Sequence, residues 1–373
     1  MANTFSFVGY LKPIKSNDKW NSFSVTEFES GWINERLVFN VRAGDNTHRV
    51  EINAGRWKDA KKNVIYGYTK GDSNNKGEAI QIPWAKRNDP DVIENMAGWK
   101  IFTVDLETFN HRKELEDAGE TEALEEANKQ RKHFLAGTEF CEYVNDLVNS
   151  EKTKDMKFRV NGTINYRYSE KNNQYYSAYE VNKIYRVDDD APVSSEMNID
   201  FYFTDDSMDD TDYKETGRAT VSGYAKYYDS SVKKACFAPV VLAMRFGTDE
   251  DGMETLAYWN DIFTEFEDDA VRYVGLKCDE INGSQRVQVT YDDLSDKVKR
   301  AIKVGAKKLE DALAEAGGTV MGEKIQEIRL VGLSRGCSDA ETTSYEVEDL
   351  TKKPVADVDI FAGNEEEDDE DDL

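Results

Sequence analysis

Runs in which hydrophobic and polar residues alternate are the main pattern in the first two thirds of the chain. In the clearest run the apolar face consists of Phe158, Val160, Gly162, Ile164 and Tyr166, and the polar face of Lys157, Arg159, Asn161, Thr163, Asn165 and Arg167. A period of two residues predicts a β-strand. This strand should have one face in a core and one wet, basic face, and a second aromatic strand from Gln174 to Arg186 should follow it.

A similar pattern occurs near the N-terminus, 153 residues earlier. Without gaps, Phe5, Phe7, Gly9 and Leu11 correspond to Phe158, Val160, Gly162 and Ile164, and Phe23 and Ser24 correspond to Tyr176 and Ser177. Internal similarity at a fixed offset indicates a repeated unit. We therefore expect two copies of one domain, with Gly9 and Gly162 at equivalent bends.

Further strand-like runs, separated by turn residues, follow in each copy. About five strands per copy and a glycine in the first strand predict a small closed Greek-key barrel of the oligonucleotide-binding (OB) type. Helical spacing indicates an amphipathic insertion in the first copy, and strands alternate with a helix after residue 248. The predicted fold is mostly β with α/β additions: OB-like barrels at 1–155 (helical insertion 112–149) and 156–247, an α/β unit at 248–350 and a disordered acidic tail at 351–373.

Charge is distributed unevenly along the 373 residues. The formal net charge is -26, from 48 basic and 74 acidic side chains, yet residues 1–100 carry 15 basic and 12 acidic groups. Residues 201–373 carry 20 basic and 41 acidic groups, including eight consecutive acidic residues from Glu365 to Asp372. Such a run repels itself and cannot bury apolar area, which is why the tail is predicted to be disordered.

Several functional classes find no support in the sequence. No apolar run approaches the roughly 20 residues of a membrane span, and the N-terminus lacks the features of a signal peptide, so a cytoplasmic location is expected. The three histidines are far apart and no nucleophile motif accompanies them. The acidic segment Asp205 to Asp212 lacks the spacing of a calcium loop, and the four cysteines lack zinc-ligand spacing. We expect no enzymatic activity, no cofactor and no metal.

Aromatic residues that lie close to basic ones in the sequence are the strongest chemical signal. Single-stranded nucleic acid requires this combination, because each base stacks on an aromatic face for roughly 1 to 3 kcal/mol while cations neutralise the phosphates. The predicted contacts in the first copy are Arg56, Trp57, Lys58, Lys61, Lys62, Trp84, Lys86 and Arg87, and in the second copy Lys157, Arg159, Arg167, Tyr175, Tyr179 and Lys183. Aromatic residues also favour strands for packing reasons alone, which is the competing interpretation.

Basic and aromatic barrel strands followed by an acidic C-terminus resemble the single-stranded DNA-binding proteins of bacteria and bacteriophages. The resemblance implies sequence-independent binding of single-stranded DNA in phage replication or recombination, and a tail that recruits partner proteins and competes with DNA. The tail residues to which it assigns this role are Phe361, Glu365, Glu366, Glu367, Asp368, Asp369, Glu370, Asp371, Asp372 and Leu373. This chain departs from the family in ending on Leu373 where the family commonly has an aromatic residue. The alternatives are a phage structural or scaffold protein and an acidic partner-binding protein that mimics DNA.

Overall fold

The computed structural model of the chain describes residues 3–16, 20–71, 77–264, 270–288, 291, 294–315 and 319–354. The acidic run of the predicted tail lies outside these described residues. The strands are β1 (Thr4–Pro13), β2 (Phe23–Glu27), β3 (Trp32–Ala43), β4 (Asn46–Trp57), β5 (Val64–Tyr68), β6 (Ala79–Pro83), β7 (Phe102–Asp105), β8 (Arg131–Phe134), β9 (Lys157–Ser169), β10 (Gln174–Arg186), β11 (Ser194–Phe203), β12 (Met208–Asp209), β13 (Ala219–Asp229), β14 (Lys234–Met244), β15 (Arg272–Gln288), β16 (Thr319–Leu333) and β17 (Glu341–Thr342). The α-helices are α1 (Pro90–Asn95), α2 (Phe109–Ala118), α3 (Thr121–Lys129), α4 (Gly137–Val148), α5 (Tyr213–Thr216), α6 (Glu250–Thr264), α7 (Asp296–Lys303), α8 (Leu309–Glu315) and α9 (Val347–Thr351). The prediction of a mostly β chain is confirmed.

Five strands close into a ring that we call barrel 1. Strand β1 pairs antiparallel with both β3 and β9, while β3 pairs with β4 and β9 with β10 as antiparallel neighbours. The ring closes where β4 and β10 run parallel, with Glu51 opposite Glu180. Gly9 allows β3 to approach β1, because a Cβ at this position would lie 2.2 Å from the carbonyl oxygen of Arg42.

A second ring, barrel 2, has the same plan and consists of β11, β13, β14, β16 and β15. Its antiparallel pairs are β11 with β13, β13 with β14, β15 with β16, and β11 with β15. The third and fifth strands, β14 and β16, are again the parallel pair, with Leu242 opposite Ile328. In both barrels the order around the ring is therefore first, second, third, fifth and fourth strand.

The sequence repeat at an offset of 153 residues does not relate the two barrels. Strands β1 and β9 are neighbours inside barrel 1, with Phe7 opposite Val160, Gly9 opposite Phe158 and Gly162 opposite Phe5. The repeat thus matched the first and fourth strands of one ring, and the prediction that Gly9 and Gly162 occupy equivalent positions in two copies is wrong. The strand of barrel 2 that occupies the position of β1 is β11.

The boundaries of the two barrels in the sequence also differ from the predicted domain boundaries. Barrel 1 extends from Thr4 to Arg186 and barrel 2 from Ser194 to Leu333. The predicted boundary at 155/156 falls inside barrel 1, and the boundary at 247/248 falls inside barrel 2. Strands of the predicted α/β unit at 248–350 complete barrel 2, because ring closure pairs segments that are distant in sequence.

One helix in each barrel lies between the third and fourth strands and contributes to the core. In barrel 1 this is α4, the last helix of the predicted insertion, whose Phe140 and Val144 are fully buried. In barrel 2 it is α6, which buries Trp259 and Phe263. These side chains belong to one continuous apolar core that includes residues of both barrels. No helix in the described part of the chain is long and apolar enough to span a bilayer.

Main-chain hydrogen bonds join the two barrels into one sheet. Strand β1 pairs with β11 through Thr4 to Val8, on the edge opposite to β9. At a second point, the β3–β4 turn meets β15, where Asn46 lies opposite Gly283. A Cβ on Gly283 would lie 2.0 Å from the carbonyl oxygen of Asp45, so this close contact requires glycine.

A buried polar cluster lies at the same junction. The imidazole of His48, from barrel 1, is completely buried and stacks on the Phe7 ring at 4.1 Å. Its Nδ1 lies 2.8 Å from Oε2 of Glu280 and its Nε2 lies 2.7 Å from Oγ of Ser195, both from barrel 2. The hydrogen-bond order is that of a hydrolase triad. All three residues are less than 10% exposed, however, so the serine hydroxyl is closed to substrate and the cluster holds the barrels together.

Replacing His48 with alanine should destabilise the fold. The substitution removes the stacking contact and leaves the Glu280 carboxyl and the Ser195 hydroxyl buried without their partner, at a cost of about 2 to 4 kcal/mol. Urea denaturation measures this change in the free energy of unfolding. His111→Ala, at a half-exposed histidine, is the matched control and should cost less than about 1 kcal/mol. Equal losses in the two variants would contradict the role given to His48.

Candidate nucleic-acid interface

The alternation predicted for β9 is present in the fold. Phe158, Val160 and Ile164 are buried in barrel 1, and Arg159 and Arg167 are exposed on the opposite face. Because β9 lies between β1 and β10, this outer face is the middle of an open surface. The strand therefore presents a polar, basic row to solvent.

A groove of about 630 Å³ crosses this surface where β3, β4, β10 and β9 lie side by side. Its cations are Arg36, Arg49 and Arg167, one from each of three strands. The Arg49 guanidinium lies 5.2 Å from the Trp20 ring, and that of Arg167 lies 5.8 Å from the Tyr176 ring. Arg49 and Arg167 are thus each held beside an aromatic face, the arrangement that stacking of bases and contact with phosphates both require. Arg36 instead pairs with the carboxylate of Glu51, with its Nη2 at 2.5 Å from Oε2.

Two further grooves continue the first along β9. One, of about 500 Å³, shares Asn165 and Tyr166 with the first groove and reaches Lys226 and Tyr228 of barrel 2. The other, of about 400 Å³, shares Thr163 with the second. It ends at the side chains of Arg159, Lys183 and Trp99. We call this continuous surface the β9 groove.

Trp99 forms the end of the β9 groove on a segment inserted between β4 and β9. Its ring is 63% exposed, lies 5.1 Å from the Tyr68 ring and has the Lys100 ammonium at 5.1 Å. A large exposed aromatic side chain beside a cation is available for stacking.

Sequence reasoning identified only part of this surface. Arg159, Arg167 and Lys183 were predicted contacts and line the β9 groove. The lining or adjoining residues Trp20, Arg36, Arg49, Trp99 and Tyr176 were not predicted. The available signal for the missed cations was alternation, since Arg36 precedes the buried Leu37 and Arg49 lies between the buried His48 and Val50.

Trp57 lies on the same strand face as Arg49, because every second residue of β4, from position 49 to position 57, lies on one face of the strand. Its ring packs edge-on against Trp32 at 5.2 Å and receives the Lys62 ammonium at 5.5 Å. The neighbouring Arg56 points the other way and pairs with the buried Glu35 at 3.4 Å. Lys58 pairs with Glu27 at 2.7 Å. Arg56 and Lys58 therefore already have carboxylate partners.

Lys61, Trp84 and Arg87 line a separate groove of about 690 Å³. The Arg87 guanidinium lies 4.8 Å from the Trp84 ring and its Nε donates to Oε1 of Glu139 at 2.8 Å. Lys86 is exposed nearby. This patch has the predicted composition, but its lining shares no residue with the β9 groove.

Three predicted contacts serve other roles in the structure. Lys157 is buried, and its Nζ donates to the carbonyl oxygens of Asp189 and Ala191 at 2.6 and 2.5 Å. Tyr175 packs beside Tyr168 at 5.0 Å, next to an apolar cluster of barrel 2. Tyr179 borders the β9 groove but packs edge-on against Phe5 and Phe7, and burial raises the pKa of its hydroxyl. All three are correctly placed on strands, but their side chains are used for packing or buried hydrogen bonds.

Two carboxylates also line the first part of the groove. Glu51 and Glu180 face each other across the parallel pair β4 and β10, and Asn165 donates a hydrogen bond to Glu180. Burial is the main cause that raises the pKa of Glu180, and the negative charge of Glu51 raises it further. A phosphate nearby would act in the same direction as Glu51.

Comparison with known proteins gives little further information. No protein-family model and no curated protein matches the chain. Among solved structures, the wild-type single-stranded DNA-binding protein from Thermus aquaticus is similar at 12% identity, with 74% of this chain and 85% of that chain covered and a TM-score of 0.31. A deletion mutant of the same protein gives 10% identity, 74% and 86% coverage and a TM-score of 0.30. Both likenesses are too weak to support a functional assignment, which depends on the β9 groove itself.

Glu180→Gln should increase the affinity of the groove for oligo-dT at pH 7 by about threefold to tenfold, because it removes one negative charge close to the phosphates. The raised pKa of Glu180 means that the carboxyl takes up its proton above its ordinary pKa of 4.5, so affinity should rise in the native protein as pH falls towards 5. The variant should show less of this rise. Fluorescence titrations at several pH values test both points, with Glu254→Gln on α6 as the control. The same pH dependence in native protein and Glu180→Gln would contradict the prediction.

Proposed function

We propose that this chain is a non-enzymatic protein that binds single-stranded DNA without sequence preference, by base stacking and phosphate neutralisation in the β9 groove. The observation that carries the proposal is the continuity of that groove. Cations line it from Arg36 and Arg49 to Arg159 and Lys183, together with the exposed rings of Tyr176, Tyr228 and Trp99. Every base has a face that can stack, so this surface needs no hydrogen-bond readout of sequence.

The topology of the barrels supports the proposal. We infer that both are OB folds, because a five-stranded Greek-key barrel with a parallel pair of third and fifth strands is the plan of that fold. OB folds bind oligonucleotides on the face of strands 2 and 3 and on the loops between strands 1 and 2 and strands 4 and 5. In barrel 1 these elements are β3, β4, the segment that contains Trp20, and the β9–β10 hairpin. The first part of the β9 groove lies on this face.

Local charge makes binding compatible with the net charge of -26. The groove contains Arg36, Arg49, Arg167, Arg159, Lys183 and Lys226. Its carboxylates are Glu51, Glu180 and Asp200. Phosphate contacts depend on this local excess of cations, and counterion release then makes affinity fall with salt.

Two groove aromatics test the proposal directly. Trp99→Ala and Tyr176→Ala should each weaken oligo-dT binding by about 1 to 3 kcal/mol, because each removes a stacking surface. Tryptophan fluorescence titration of the native protein should show quenching by oligo-dT and none by duplex DNA, with affinity falling as salt rises. Fluorescence polarisation with labelled oligo-dT measures the variants, since one of them removes a tryptophan. Their melting temperatures should stay close to that of the native protein, because both side chains are exposed.

Phe109→Ala, at a 75% exposed aromatic residue that does not line the β9 groove, is the matched control and should leave binding unchanged. Equal affinity for duplex and single strand, or groove variants that behave like Phe109→Ala, would contradict the proposal. Absence of binding to either DNA would favour the structural or DNA-mimic alternatives.

We infer that the C-terminal tail regulates the binding of DNA to the groove. Its described neighbour Lys353 donates from Nζ to Oδ1 of Asn173 at 2.6 Å and lies 5.8 Å from the Tyr168 ring. The chain therefore leaves barrel 2 beside the β9–β10 hairpin, at the edge of the groove. From there the ten residues 355–364 can span at most about 35 Å before the acidic run begins at Glu365. We infer that the tail competes with DNA and recruits replication or recombination proteins, in a bacteriophage as the sequence resemblance implies.

Removal of residues 364–373 should raise affinity for oligo-dT, most strongly at low salt. The tethered carboxylates act as an intramolecular competitor at an effective concentration near millimolar, and ions screen both them and the phosphates. Titrations of the truncated and full-length chains at two salt concentrations measure the effect. A chain of the same length with the eight acidic residues replaced by serine and glycine should match the truncation. Unchanged affinity at every salt concentration would show that the tail does not compete.

A further inference from the structure

The helical insertion of barrel 1 forms a cleft that the β9 groove does not include. The cleft encloses about 830 Å³ between the α2–α3 pair, α4 and the segment that follows α4. Leu115, Ala127 and Leu147 are buried side chains of its apolar floor. We call it the helical cleft.

The rim of the helical cleft is mainly acidic. Glu107, Glu120, Glu126 and Asp146 border it, as do the cations Lys152 and Arg186. Residues 107–129 carry eight acidic and three basic side chains, a net charge of -5. An apolar floor inside a mainly acidic rim fits a ligand with apolar and basic groups and repels the phosphates of nucleic acid.

Barrel 2 carries a surface of the opposite character. Between β15 and β16 the chain forms α7 and α8, which pack on each other through Leu294, Val298, Ile302 and Ala312. Residues 294–309 carry six basic and one acidic side chain, a net charge of +5, and are followed by Glu310 and Asp311. We call residues 294–309 the basic arm.

Apolar side chains are exposed among the cations of the basic arm. Val304 is 76% exposed at the end of α7, directly after Lys303, and Leu309 is 40% exposed directly after Lys308. The charged phosphates of a nucleic acid make no favourable contact with these two apolar side chains. A partner with an apolar floor inside an acidic rim would bury them and pair with the lysines.

We propose that the helical cleft of one copy of this chain binds the basic arm of another copy. The two surfaces differ from each other, so the contact is heterologous and each copy keeps one free arm and one free cleft. Such a contact repeats without closing unless the geometry makes a ring. On a long single strand it would place successive copies next to each other and make binding cooperative.

Charge reversal tests the contact without any DNA. Lys303→Glu with Lys308→Glu reverses the arm, and Glu120→Lys with Asp146→Lys reverses the cleft; all four side chains are exposed. Sedimentation velocity at low salt should show concentration-dependent association of the native protein. Each reversed variant should associate at least about tenfold more weakly than the native protein. An equimolar mixture of the two variants should associate again, because the acidic arm of one fits the basic cleft of the other.

Matched controls carry the same charge changes elsewhere on the surface. Lys214→Glu with Lys234→Glu controls for the arm, and Glu215→Lys with Glu254→Lys for the cleft; each pair should associate like the native protein. A native chain that stays monomeric, or reversed variants that associate normally, would overturn the proposal. So would a mixture that fails to associate. An arm-reversed variant that associates normally but binds weakly to an oligo-dT too short for two copies would assign the arm to DNA instead.

Discussion

Main-chain pairing between β1 and β11 is the interaction on which the rest of the structure depends. Strand β1 has its C-terminal half against β3 and its N-terminal half between β9 and β11, so it belongs to barrel 1 and borders barrel 2 at once. Each added strand pair removes an edge that would otherwise expose unpaired amides and carbonyls. The buried cluster of His48, Ser195 and Glu280 reinforces this junction with side chains from both barrels.

The sequence shows clearly which face of a strand is buried and says little about which strands pair with each other. Alternation along β9 correctly separated the buried Val160 from the exposed Arg159, because that pattern is local. Pairing in a barrel is not local: β4 meets β10 only after more than a hundred residues of intervening chain. Strands of one ring share the same alternation, so the similarity between Phe7 and Val160 looked like a duplication when the two residues are partners. Domain boundaries drawn from that similarity were displaced for the same reason.

Candidate site residues were predictable by type and only partly by position. The predicted combination of cations and aromatic rings is present in the groove, which Arg159 and Arg167 line. Whether a lysine faces solvent depends on neighbours that the sequence does not reveal; Lys157 donates to two carbonyls of the loop after β10. Arg49 was missed because its aromatic partner, Trp20, lies in a different segment of the chain.

The close contact of Gly283 with the carbonyl of Asp45 leaves no clearance between the barrels. The β9 groove includes residues of both barrels, so a rigid junction between them makes it a stiff template whose shape a ligand would have to take. A flexible single strand can follow the groove at a modest cost in conformational entropy. Duplex DNA, with a persistence length of about 50 nm, would have to be bent over a few nucleotides at a much higher elastic cost. Under the proposed function, rigidity at this glycine would select DNA by its flexibility.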